Sequence, residues 1–119
     1  MKDKLLSVSY HDAVMKRHSI RALSNEPPVD ANDIQAALEL AQHSPSAFNM
    51  QSSRLLVLMG DQHKEVWCIV RNILEERGSL RGTTEQKLQG FANGSGTVLF
   101  FEDRAVVEKY QTEQKNSVL

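Results

Sequence analysis

Within six residues the chain gathers Lys16, Arg17, His18, Ser19 and Arg21, a set that holds two guanidinium forks, an ammonium, an imidazole and a hydroxyl. Arginine forks match the paired oxygens of a phosphate monoester and bond to them with charge assistance, so the cluster is suited to holding such an anion. The plainer reading is the solvated basic end of a helix, where positive charge is favourable without any ligand. A second concentration is S-P-S-A-F-N-M-Q-S-S-R, Ser44 to Arg54, in which Asn49 and Gln51 each carry a donor and an acceptor. Those side chains suit the polar edge of a flat heterocycle. Turn chemistry for a helix-to-strand connection explains the same composition.

Other chemistries are poorly served. Glycines 90, 94 and 96 precede an apolar run rather than follow one and do not form G-x-G-x-x-G, which argues against a dinucleotide fingerprint. His11, His18, His43 and His63 lack paired ligand spacings and have a single cysteine to help, so no metal is expected and they read as surface or hydrogen-bonded histidines. Glu65, Glu75, Glu76 and Glu85 sit among arginines and lysines at helical spacing, where pairing and solvation account for them. Cys68 has no evident activating base and reads as an inert small hydrophobe beside a buried stripe. Trp67 reads as core, with a subunit contact as the alternative.

The elements that must position these groups follow from spacing and punctuation. Ser9 is a cap for a short helix through Arg17, with Ala13 and Val14 on its buried side. Ser19 to Asn25 is irregular. Pro27 and Pro28 forbid helix just before them, and Asp30 caps a helix from Ala31 to about His43 whose apolar stripe is Ile34, Ala37, Leu38 and Ala41. Ser44 to Ser53, with Pro45, Asn49 and four serines, is a polar loop. Arg54 to Met59 is a strand expected to be covered on both faces, and Gly60 and Asp61 turn the chain. A helix follows from Gln62 to Arg77, with Val66, Ile69, Val70, Ile73 and Leu74 as its stripe and Gly78 as its stop. A weaker helix over Thr84 to Phe91 leads to a second strand, Thr97 to Phe101, and Asp103 caps a last helix through Lys115, with the tail from Gln114 fraying. Two strands separated by helices predict an α+β or α/β domain. Two strands alone make a poor sheet, so the fold reads as unfinished.

The 119 residues set one domain as the expectation, residues 1–119. With 40% hydrophobic and 24% charged residues the composition is that of an ordinary globular protein, and a net charge of -1 gives no field to attract nucleic acid or an anionic membrane. The longest apolar run, Leu55 to Met59, is far below the ~20 residues that span a bilayer. One cysteine and no signal-peptide pattern make the cytoplasm the expected compartment.

Taken together, R-H-S-I-R (Arg17 to Arg21) and P-S-A-F-N-M-Q (Pro45 to Gln51) resemble the paired motifs of the nitroreductase family of flavin enzymes. The run from His43 to Leu58 and G-T-V-L-F-F-E-D (Gly96 to Asp103) resemble most the branch of fatty-acid-repression-mutant type nitroreductases. The likeness covers about residues 9 to 110. It implies an α+β nitroreductase fold whose N-terminal portion is present, with helices packed on an incomplete sheet. It implies FMN as cofactor, NAD(P)H as reductant and nitroaromatics or quinones as acceptors. Arg17, His18, Ser19 and Arg21 would hold the flavin phosphate and ribityl chain, and Pro45, Ser46, Asn49 and Gln51 would reach the flavin from the second subunit of a homodimer. Family members run to about 200 residues, so the chain is expected to lack their C-terminal half. The closing text loses the likeness near Gln114, and Phe91 is followed by Ala92 where relatives often carry a basic residue. The alternative expectation is therefore a non-catalytic fragment that dimerises or binds FMN without turnover.

Overall fold

Ser9 adopts an extended conformation and its Oγ accepts the Asp12 amide at 3.1 Å, which opens helix α1 (Tyr10–Lys16) in the computed structural model, where residues 8–116 are described. The buried side expected at Ala13 and Val14 does not form: all residues of α1 are exposed. Asp30 caps α2 (Ala31–Ala41) in the same way, its carboxylate accepting the Asn32 amide at 2.9 Å. On α2 the half-buried apolar residues are Ile34, Ala36 and Leu38; Ala37 and Ala41, expected in the stripe, are exposed.

The sheet has two antiparallel strands, β1 (Ser53–Met59) and β2 (Gly96–Glu102), with Ser53 opposite Glu102 and Met59 opposite Gly96. They are not joined by a tight turn. Between them run α3 (Gly60–Glu76) and α4 (Gly82–Ala92), packed on each other, with α3 resting on the sheet; α5 (Arg104–Asn116) follows β2. Helix α3 begins at Gly60 itself, without the expected turn over Gly60 and Asp61. It stops at Gly78, whose φ of 65° favours glycine, while Ser79 N–H reaches back to the Leu74 carbonyl at 2.8 Å. Asp103 caps α5 through the Ala105 amide at 3.1 Å, and the helix continues to Asn116, so the fraying expected from Gln114 is absent as far as the description reaches.

Two corrections concern burial. Strand β1 is not covered on both faces: its first half is exposed, with Leu55 and Leu56 at 37% and 47%, because α3 covers only the Met59 end. On α3 the inward line is His63, Val66, Trp67, Val70 and Leu74, whereas Ile69 and Ile73 of the expected stripe lie on the outer side with the exposed Cys68. An apolar arc this wide can serve two contacts, and the chain supplies one.

Packing within the chain centres on a polar knot. His63, 2% exposed, donates from Nε2 to the Ala92 carbonyl at 3.0 Å, and its Nδ1 pairs with the Thr97 hydroxyl at 2.8 Å. That hydroxyl also accepts Trp67 Nε1–H at 2.9 Å, and the indole lies tilted against Phe91 with ring centres 5.2 Å apart. Trp67 thus serves the interior, as expected. Farther out, Arg71 bridges α3 and α4 through Glu85 at 3.0 Å and also pairs with Glu75 at 3.1 Å. Its hydrogen bond to Glu85, then the charges of Glu75 and Glu85, raise its pKa further.

No hydrophobic residue among those described is fully buried. The accessible surface is 10045 Å², against roughly 6500 Å² for a compact chain of this size. The radius of gyration is 18.5 Å, where about 13 to 14 Å is usual. No helix among the described residues is long and apolar enough to cross a membrane.

Candidate functional site

The basic segment begins where α1 ends. Arg17 leaves helical geometry, at φ -65° and ψ 126°, while its N–H still bonds to the Ala13 carbonyl. His18 Nδ1 donates to the Lys16 carbonyl at 3.0 Å, folding the imidazole against the helix end. Arg17, His18, Ser19 and Arg21 are all exposed, and neither arginine is paired with a carboxylate among the described residues. Elsewhere on the chain, Arg54 and Arg71 both are. The donor set of two unneutralised guanidinium groups, an imidazole and a hydroxyl fits a phosphate monoester.

What places this segment is glycine. A Cβ on Gly90 would stand 2.8 Å from the Arg21 carbonyl oxygen, closer than real Cβ atoms come, so the backbone at Arg21 can rest on α4 only because position 90 has no side chain. At Gly94 the same added atom would meet Leu23 Cδ1 at 3.1 Å. Farther along, Val29 N–H donates to Ser95 Oγ at 3.2 Å. Residues 21–29 are therefore seated along the end of α4 and the turn into β2. Beneath them a cleft of about 240 Å³, lined by Leu23, Val29, Ile34, Val57 and Val98 among others, separates this strap and α2 from the sheet.

The Ser44 to Arg54 loop is built differently. It contains a single 3₁₀ turn, Ala47–Asn49, and three non-glycine residues in the left-handed region: Phe48 (φ 54°), Asn49 (φ 52°) and Gln51 (φ 49°). Such conformations cost on the order of 1 kcal/mol each, less for asparagine, and persist where surrounding bonds enforce them. Ser46 Oγ accepts the Gln51 amide at 3.2 Å, Gln51 Nε2 donates to Asn49 Oδ1 at 3.1 Å, and Arg54 Nη1 donates to the Gln51 carbonyl at 3.0 Å. Arg54 is held in turn by Asp103 at 3.1 Å. Nearly all of the loop is exposed; Ser52, 7% exposed, bonds to Glu102 at 3.2 Å and ties the loop to the sheet.

The two segments are not brought together. The loop enters the ladder at the Ser53–Glu102 end, whereas the basic segment is seated beside the Met59–Gly96 end. The anchors are the two ends of a ladder of seven residue pairs, six steps or about 20 Å apart at ~3.3 Å per residue. No hydrogen bond or ion pair joins Arg17–Arg21 to Ser44–Gln51. Pro45, Ser46, Asn49 and Gln51 thus present one surface and Arg17, His18, Ser19 and Arg21 another.

Some contributors escaped the sequence reading. Gly90 and Gly94 drew notice only for failing a dinucleotide pattern; their spacing of four, one helical turn, is the trace of a lane cleared for another backbone. His63 read as one histidine among four, although its offset of four from Trp67 puts both on one helix face. No group of three or more metal-ligating side chains occurs among the described residues.

Residues 14–118 match the family model described as the nitroreductase family. The chain is 32% identical over 108 residues to HBN1 of Saccharomyces cerevisiae and 27% identical over 108 residues to the nitroreductase FRM2 of the same yeast, covering 88% of this chain and 54% of each relative. In three dimensions it is similar to nitroreductase CinD from Lactococcus lactis in complex with nicotinic acid, with a TM-score of 0.73 and 34% identity over 88% of this chain and 54% of that one. The chain therefore spans about half the length of the relatives it matches.

Proposed function

The chain belongs to the nitroreductase family, and from that premise we propose that it supplies the N-terminal, flavin-phosphate-holding part of an FMN-dependent oxidoreductase that works as a homodimer. The observation that carries this reading is the pair of unneutralised arginines, Arg17 and Arg21, on a backbone seated against glycine. In this reading both guanidinium groups neutralise the FMN phosphate, with His18 and Ser19 completing the contacts. Pro45, Ser46, Asn49 and Gln51 meet the polar edge of the flavin bound to the other subunit. The separation of the two surfaces along one ladder supports sharing a site between copies, since a single chain keeps them apart.

Bound FMN would supply the ring that takes a hydride from NAD(P)H and passes reducing equivalents to an acceptor. The residues of this chain bind and orient it. Nitroaromatics are the proposed acceptor class, with quinones beside them; CinD is known in complex with chloramphenicol and with 4-nitrophenol, two molecules that carry a nitrophenyl group.

A second reading rests on a specific observation, the absence of any fully buried hydrophobic residue among those described. On that reading the chain binds FMN or dimerises without turnover. One experiment separates the two: incubation with FMN, desalting, an absorbance spectrum, size-exclusion chromatography, and then an NAD(P)H oxidation assay. A yellow dimer that oxidises NAD(P)H establishes the first reading. Retained flavin without oxidation, or a colourless dimer, establishes the second, and a colourless monomer removes both.

A further inference from the structure

The most buried side chain described is not on either candidate surface. His63 lies in the first turns of α3, where its ring bonds two separate elements: Nε2–H holds the carbonyl of Ala92, the last residue of α4, and Nδ1 holds the hydroxyl of Thr97, the second residue of β2. Only Asn93, Gly94, Ser95 and Gly96 lie between those two partners. That span contains Gly94, on which Leu23 sits, and Ser95, whose hydroxyl accepts the Val29 amide; Gly90, under the Arg21 carbonyl, is half a turn before Ala92. The imidazole therefore closes the α4–β2 turn on which the basic segment leans.

The arrangement is also directional. A main-chain carbonyl can only accept, so Nε2 must carry the hydrogen. Trp67 Nε1–H occupies one lone pair of the Thr97 hydroxyl, which leaves that hydroxyl's own hydrogen free to point at Nδ1. Every polar atom of the knot is satisfied, and no buried side-chain nitrogen or oxygen among the described residues lacks a partner. A buried and fully satisfied network specifies one geometry, and a removed member leaves its partners unmet.

We propose that His63 is a positioning residue for the anion-holding segment: by clamping Ala92 to Thr97 it fixes the turn that seats Arg21 and Leu23, and so aims Arg17 and Arg21 at a phosphate monoester. The part concerning phosphate rests on the function proposed above; the seating of the segment does not.

The test uses the full chain with His63→Ala, His63→Gln and Thr97→Val, each checked for helix content by circular dichroism. Two quantities are read: amide hydrogen exchange at Val29, whose N–H bonds to Ser95 Oγ in the clamped turn, and affinity for FMN against riboflavin, which lacks the phosphate, by flavin fluorescence. His63→Ala should speed exchange at Val29 and lower FMN affinity about tenfold, the change expected from misplacing one charge-assisted hydrogen bond, while riboflavin affinity stays within about threefold. His63→Gln, whose amide can still donate to Ala92, should restore most of the FMN preference. If His63→Ala fails to fold, Thr97→Val decides, with the same expected pattern at smaller amplitude. Unchanged exchange at Val29, or an equal loss of both flavins without rescue by glutamine, overturns the proposal. A wild-type chain that binds neither flavin removes the flavin reading and the phosphate part with it, while the exchange data still decide whether His63 seats the segment.

Discussion

The segment from Arg17 to Arg21 rests its backbone on Gly90 and leaves its arginines unpaired, whereas the loop from Ser44 to Arg54 ties itself into shape with Ser46, Asn49, Gln51 and Arg54. Shape in the first comes from a helix distant in sequence. In the second it comes from within a span of nine residues, Ser46 to Arg54, strained backbone included. A segment that borrows its shape keeps its side chains free for a ligand, and its geometry is lost when the support moves. A segment that makes most of its own shape spends side chains on itself and leans on the rest of the fold only where Ser52 and Arg54 tie it to Glu102 and Asp103.

Four variants would break or sharpen that contrast. Replacing Arg17 and Arg21 together by Ala should weaken FMN binding by several kcal/mol, at about 1.5 to 3 kcal/mol for each charge-assisted contact, with little change in urea stability because neither is paired among the described residues. Equal affinity in a flavin titration would show that the cluster is only a helix end. Gly90→Ala comes next. Alanine favours helix by about 0.5 to 1 kcal/mol over glycine, yet its Cβ would displace Arg21, so FMN affinity should fall about tenfold while circular dichroism shows α4 intact. Retained affinity would mean that the basic segment does not depend on this seat.

On the loop the effects should be smaller and local. Ser46→Ala removes the acceptor of the Gln51 amide and should cost about 1 kcal/mol in urea denaturation, with faster hydrogen exchange at Gln51 and no change at Val29, whose N–H bonds to Ser95. A matching change at Val29 would refute the independence of the two segments. Phe48→Gly should be the mildest, since the side chain is 66% exposed and its φ of 54° suits glycine. Relief of strain and the entropic cost of glycine should leave stability within about 1 kcal/mol of the parent. A larger loss would show that the phenyl ring is packed against a second copy.

Much of the local structure was legible because its causes are local. The caps at Ser9, Asp30 and Asp103, the stop at Gly78 and both strands lie where punctuation and periodicity put them. Burial was not legible. Ile69 and Ile73 continue the helical stripe of α3, yet the chain offers them no partner, and Leu55 and Phe100 face each other across an exposed part of the ladder. Hydrophobic spacing states which side chains seek cover and is silent on whether this chain or another supplies it.

By itself the sequence determined the element types, the two polar segments and, through their combined wording, the family. Those properties depend on neighbours within a few residues or on motifs that survive without any fold around them. Only the tertiary structure decided that Arg21 lies on Gly90, that His63 joins Ala92 to Thr97, and that the two candidate surfaces sit at opposite ends of one ladder. The first two join residues at least 29 apart in sequence and the third follows from strand register, and such relations are set by how helices and strands pack, which no local pattern encodes.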